Sequence, residues 1–230
     1  MRVLFEDNHF IAVNKQAGEI VQGDKTGDEP LSERVKQYLK KKYNKPGDVF
    51  VGVAHRIDRP VSGAVVFAKT SKGLARINEL IRERQLKKTY WAVVKNKPEA
   101  VHAHLIHFLE KNERMNKSFA FENEGKKRLK AELKYQLLVS IENYHLLEIE
   151  LITGRHHQIR CQLAAIGCPI KGDLKYGFER SNADGSIHLH ARKIEFLHPI
   201  KQHPVVITAK APQESVWDAI MQKLTDNSNP

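Results

Sequence analysis

His55-Arg56-Ile57-Asp58-Arg59-Pro60-Val61-Ser62-Gly63, running on into Ala64-Val65-Val66-Phe67-Ala68-Lys69-Thr70, is the stretch from which the rest of the chain is read. Its apolar second half has the length and composition of a buried strand. Pro60 and Ser62-Gly63 make the first half a tight turn, which presents Asp58 at the edge of that strand. Two arginines and a histidine flank Asp58, and nearby positive charge favours the ionised form of a carboxylate. An ionised carboxylate in such a place can bind, or it can attack an electrophile as a nucleophile. Charge pattern alone argues more for a structural ion pair, because such networks are common in folded proteins. The kinase catalytic loop is excluded: it needs His-Arg-Asp followed by an Asn, and no Gly-rich phosphate loop precedes the stretch.

Two further stretches carry polar groups beside apolar runs. Lys87-Lys88-Thr89-Tyr90-Trp91-Ala92-Val93-Val94 reads as a strand with Tyr90, Ala92 and Val94 on one face. A tyrosine in that setting is ordinarily core, with its hydroxyl satisfied. Thr153-Gly154-Arg155-His156-His157-Gln158-Ile159-Arg160 leads into a short helix marked by Ile159, Leu163 and Ile166 and ended by Gly167, with Pro169 beyond. That spacing puts Arg160 beside a core residue. Ala164-Ala165-Ile166-Gly167-Cys168-Pro169-Ile170-Lys171-Gly172-Asp173 completes the segment.

The three stretches, in this order, resemble the signature segments of the RluA-type pseudouridine synthases, and the likeness extends from about Leu4 to about Pro212. The resemblance implies an α+β catalytic domain over residues 1–224, its mixed, largely antiparallel sheet bent around a central cleft and flanked by helices. It implies isomerisation of uridine to pseudouridine in ribosomal or transfer RNA, with the nucleotide flipped into a pocket because a stacked, paired base cannot be rearranged in place. Asp58 would be the nucleophile or the acceptor of a ribose proton. Arg160 would pair with Asp58 and hold it ionised. Tyr90 would pack on the uracil, and Arg56 would occupy or brace the space left by the flipped base. Neither metal nor cofactor is implied. Because the likeness starts within the first strand, the S4 domain found in many members is not expected here. Two positions depart from the family: Gln16 follows Asn14-Lys15 where proline is usual, and Cys161-Gln162 stands where Val-His is usual.

Composition agrees with a polyanion partner. The 230 residues carry 38 Lys and Arg against 27 Asp and Glu, a formal charge of +11, and a basic surface attracts nucleic acid. Cys161 and Cys168 have no metal or redox spacing and read as reduced cytosolic thiols. No signal peptide is expected, since Glu6-Asp7 interrupts the apolar start, and no apolar run approaches the roughly 20 residues that span a bilayer. A cytoplasmic monomer is expected.

Along the chain, Val3–Phe5 and Phe10–Asn14 read as strands joined by a turn, and Leu31, Val35, Tyr38 and Leu39 fall at helical spacing behind Pro30. Phe50–Ala54 reads as a strand delivering the Asp58 turn. Ser71 is an expected N-cap for a helix with Leu74, Ile77, Leu80 and Ile81 on one face. His102 and His104 would share a strand face, but no third metal ligand of suitable spacing follows. Lys111–Lys130 reads as a long basic hairpin or loop, placed either to grip phosphates or simply to be solvated. Leu129 to Leu137 alternates apolar and polar residues, and Tyr144–Ile152 is its expected antiparallel neighbour. Ile187–Phe196 and Val205–Lys210 complete the strands. Val216, Trp217, Ile220 and Leu224 mark a terminal helix, and 225–230 should fray.

Overall fold

The computed structural model describes residues 1–228. In chain order its elements are β1 (Arg2–Glu6), β2 (Phe10–Lys15), α1 (Leu31–Lys42), β3 (Gly52–Val53), β4 (Ser62–Ala68), α2 (Ser71–Arg82), β5 (Lys87–Val94), β6 (His102–Asn112), β7 (Lys117–Phe121), β8 (Leu129–Ser140), β9 (His145–Leu151), α3 (Gln158–Ala165), β10 (Leu189–Leu197), β11 (Pro204–Thr208) and α4 (Ser215–Ser228). The fold is α+β, with mixed, mostly antiparallel strand pairing. The chain packs as two compact units, one formed by Met1–Lys87 with Ala191–Lys210, the other by Lys88–His190 with the chain from Ala211 onward.

In the first unit the strand order is β1-β2-β4-β10, with β3 paired to β4 and β11 to β10. Every residue of β2 and β4 is buried, as their continuous apolar runs require. Phe10, Ala12, Val66 and Ala68 form a core with Ile77 and Leu80 of α2 and with Ile194, Phe196 and Val205 from the late strands. The β1–β2 turn closes on Asp7, whose Oδ1 accepts the backbone N–H groups of His9 and Phe10 at 2.8 Å each. Two expectations need correcting. The N-cap of α2 is Thr70, not Ser71: Thr70 has extended backbone and its Oγ1 accepts from Gly73 N at 3.0 Å. The Phe50–Ala54 strand shrinks to β3, because Phe50 points to solvent and pairing with β4 involves only Gly52 and Val53.

The second unit is an antiparallel ladder in the order β5-β9-β8-β6-β7. Register assigns its two faces. Tyr90, Ile149, Tyr135 and Ala103 are cross-strand partners on one face; Trp91, Glu148, Gln136 and His102 are partners on the other. Helix α3 covers the first face through Cys161, which packs with Leu109, Ala131 and Tyr176. Helix α4 covers one end of the second, with Trp217 and Ile220 against Trp91, Val93, Val139 and Leu146. It runs to Ser228, beyond the expected end at Leu224, and bonds such as Thr225 Oγ1 to Met221 O continue it. Residues 229–230 of the expected tail lie outside the described residues. The basic stretch after Lys111 is a hairpin: Asn112 to Phe108 of β6 pairs with Lys117 to Phe121 of β7.

Candidate active site

In the first unit the signature turn is built around a buried cation. Lys15, at the end of β2, is fully buried, and its Nζ donates to the backbone carbonyls of Gln16 (3.0 Å), Arg59 (3.1 Å) and Val61 (2.6 Å). Two of those carbonyls follow Asp58 by one and three residues, so the ammonium fixes the backbone that carries the carboxylate. Burial pulls Lys15 down to about 8, against the opposing pull of the Glu19 and Asp58 charges. The turn itself closes with Val61 N–H donating to Asp58 O at 3.0 Å.

The cations flanking Asp58 separate into different jobs. Arg59 turns to the surface and is held by Asp28 at 2.6 Å and Thr26 at 2.8 Å, so it is a structural ion pair of the loop before α1. Arg56 is exposed. His55 accepts the Val66 N–H at Nε2 (3.1 Å), which fixes its tautomer and ties the start of the turn to β4. Gly63 closes the turn with φ +120°, and a Cβ there would stand 2.4 Å from the carbonyl oxygen of Ala191. Only glycine allows that approach.

The second unit holds Tyr90 and Arg160. Tyr90 is buried and lies on the face of the ladder that α3 covers, so strand and helix present both residues to one side of the sheet. Arg160 is buried, and its Nε and Nη2 form a two-pronged pair with Asp173 at 2.7 and 2.8 Å. Asp173 occupies one edge of the guanidinium, while the Tyr176 ring lies 5.1 Å from Cζ. Bidentate pairing of this kind fixes the plane of an arginine as well as its position.

The loop leading into α3 is latched rather than free. Gln158 accepts from Thr153 Oγ1 (2.8 Å) and Arg155 N (3.0 Å), and its Nε2 donates to Glu132 O (3.0 Å) and Gln162 Oε1 (2.9 Å). Gln162, the departure from the family pattern, is fully buried and faces Leu105 O, Ala131 O and His107 Nδ1, pinning α3 to β6 and β8. Cys161 beside it is held as a thiol, because burial pushes it up to about 11. His157 adopts a left-handed conformation (φ 52°) at the N-cap of α3, and its Nδ1 meets the Tyr176 hydroxyl at 3.0 Å. Lys88, on the same strand face as Tyr90, has its ammonium disfavoured by burial.

The sequence reading did not single out Lys15, Asp173 as the partner of Arg160, Tyr176 or Lys88. Lys88 and Asp173 belong to the signature segments, Lys15 to the Asn14-Lys15 pair before Gln16, and Tyr176 lies just beyond the last segment, but no spacing rule distinguishes a lysine that bonds carbonyls from one that faces solvent.

A sequence model of the RNA pseudouridylate synthase family matches residues 9–165, a span that includes Arg56, Asp58, Tyr90 and Arg160. The chain belongs to that family. It is therefore grouped with RNA isomerases. The chain is 32% identical to an uncharacterised RNA pseudouridine synthase of Bacillus subtilis (strain 168), covering 92% of this chain and 69% of the relative. It is 29% identical to tRNA pseudouridine synthase C of Vibrio cholerae over 97% of this chain and 95% of the relative. It is also 29% identical to ribosomal large subunit pseudouridine synthase C of Buchnera aphidicola, over 96% and 70%. The fold of the family is repeated in human RNA pseudouridylate synthase domain containing 4, with a TM-score of 0.80 at 22% identity and coverage of 97% and 93%.

Proposed function

We propose that this synthase isomerises specific uridines of ribosomal or transfer RNA, the substrates named for its relatives, with Asp58 as the nucleophile. The observation that carries the reading is that one family match spans the Asp58 turn, the Tyr90 strand and the Arg160 helix together. In the proposed reaction the N1–C1′ bond of a flipped uridine breaks, the base turns, and a C5–C1′ bond forms. The C5 proton leaves and N1 ends protonated, so atoms and charge balance within the substrate and no redox partner is consumed. The Asp58 carboxylate attacks and is regenerated. By the resemblance of its segment, Arg160 pairs with and orients that carboxylate, Tyr90 packs on the uracil and Arg56 braces the gap in the RNA stack. Basic side chains hold phosphates, in keeping with the +11 formal charge. The proposed enzyme is a cytoplasmic monomer. Separately, among the described residues no helix is long and apolar enough to cross a membrane.

The test is a map of pseudouridine in total RNA from cells lacking the protein, complemented with wild type or Asp58→Asn. A site that disappears and returns only with wild type establishes the activity and its substrate together. If Asp58→Asn restores it as well, the nucleophile assignment fails.

A further inference from the structure

The hairpin of β6 and β7 carries an aromatic surface on the face of the ladder away from α3. Register places Phe108 opposite Phe121 on β7 and opposite Lys130 on β8, with Phe119 opposite Glu110 two residues along. Their alternation puts all three rings on the face that includes His102 and Gln136. Tyr90 and α3 are on the other face, so this surface is distinct from the one that presents the proposed catalytic groups within the unit. Among the described residues, α4 is the helix packed on this side, and it covers the far end at Trp91 and Leu146. Phe119 is left 38% exposed.

Each ring stands beside a cation. Lys117 Nζ, at the edge of the ladder, is 5.6 Å from the centre of Phe119 and 5.1 Å from that of Tyr176, and Arg128 Cζ is 3.6 Å from the centre of Phe121, in face contact. Lys130 adjoins Phe108 in register, and its Nζ is paired with Glu132 on the same face at 2.9 Å. The acidic neighbour Glu110 is partly neutralised by Arg128 at 3.7 Å. Across residues 111–130 seven Lys and Arg stand against three Glu. A protein-binding patch would gain from the rings but not from this excess of charge, which favours a polyanion. Rings and a guanidinium plane interleaved with cations suit unstacked bases on a phosphate backbone, because every base has a π face and each phosphate a charge.

We infer that the outer face of the β6–β7 hairpin, centred on Phe119, Phe121 and Arg128, binds a single-stranded segment of the RNA, separate from the uridine being isomerised. This rests on the reading above that the substrate is RNA. It predicts that the hairpin grips flanking nucleotides by stacking, without sequence readout.

The experiment measures anisotropy of a labelled decaadenylate, which offers no uridine, with the full chain and with Phe119→Ala, Phe119→Tyr and Lys117→Gln. A blunt RNA duplex serves as the second probe. Phe119→Ala should weaken decaadenylate binding about tenfold while leaving the duplex unaffected, Phe119→Tyr should retain wild-type affinity, and Lys117→Gln should lessen the salt dependence. Equal decaadenylate affinity for wild type and Phe119→Ala overturns the inference. So does a concentration-dependent dimer that Phe119→Ala abolishes without changing RNA affinity, since the face would then belong to a second copy. Thermal melting checks that each variant is folded. Pseudouridine formation by the same preparations separates loss of this surface from failure of the enzymatic reading.

Discussion

At the scale of single residues, the two groups that position the signature segments are a buried lysine and a buried aspartate. Lys15→Met keeps the shape of the side chain but leaves the carbonyls of Gln16, Arg59 and Val61 without their ammonium donor. Gly18 N–H still reaches Arg59 O at 2.8 Å and Glu19 N–H reaches Gln16 O at 3.4 Å, so the loss falls mainly on Val61 O; a buried acceptor deprived of its donor costs about 1–3 kcal/mol, and relief of the buried charge offsets part of this. The expected result is a folded protein with a lowered melting temperature and a pseudouridylation rate reduced at least tenfold; an unchanged rate would show that the turn holds Asp58 without Lys15. Asp173→Asn removes the charge opposite Arg160 inside the protein. Breaking one side of a buried pair costs about 3–5 kcal/mol, so urea unfolding should shift by roughly that amount, and a shift below about 1 kcal/mol would deny the pair its role. Proline and glycine announced the turn that carries Asp58, while its role came only from the resemblance of the three segments to the family. Nothing in the spacing exposed Asp173, because it lies thirteen positions beyond Arg160, past helix, turn and bridge, and only folding aligns the two.

At the scale of elements, the junction of β1, α1 and β4 depends on Glu6. Its carboxylate accepts from Lys42 at 2.7 Å, Tyr43 at 2.6 Å and Lys69 at 2.9 Å. Burial alone would raise Glu6, but these hydrogen bonds and the Lys69 charge outweigh it and hold the group at about 2, below its ordinary 4.5. The unfolded chain therefore binds more protons than the folded one between those values, and stability from Glu6 is present above about pH 4.5 and lost as pH falls toward 2. Glu6→Gln should destabilise by about 2 kcal/mol at pH 7. The gap between wild type and variant, followed by denaturant midpoints, should close on acidification through that window. A gap that stays constant with pH would refute the account. Element identity was largely legible, since β8 and α2 announce themselves through clean periods of two and 3.6. Ends were less so. Thr70 took the cap from Ser71 because either hydroxyl satisfies the local pattern, and the choice fell to which residue stays extended at the end of β4.

At the scale of the molecule, a basic surface makes RNA affinity depend on displaced counterions. Binding of a single-stranded RNA should fall linearly on logarithmic axes with salt, with a slope of about −3 or steeper if four or more phosphates are neutralised. A flat response would mean that recognition rests on base contacts and not on the +11 charge.

The close approach of Gly63 to Ala191 has a consequence for how this protein is made. The turn bearing Asp58 is translated early, yet its unit is closed by Ala191–Lys210, which leaves the ribosome only after residues 88–190 have been synthesised. Domains that fold as they emerge ordinarily complete their N-terminal part first. Here the first-made core strands, β2 and β4, wait with exposed apolar surface for partners still inside the ribosome, while most of the second unit has already emerged. Exposed apolar surface is what aggregation acts on, and during synthesis that of the unfinished first unit lies in the first third of the sequence, around the residues proposed to carry the chemistry.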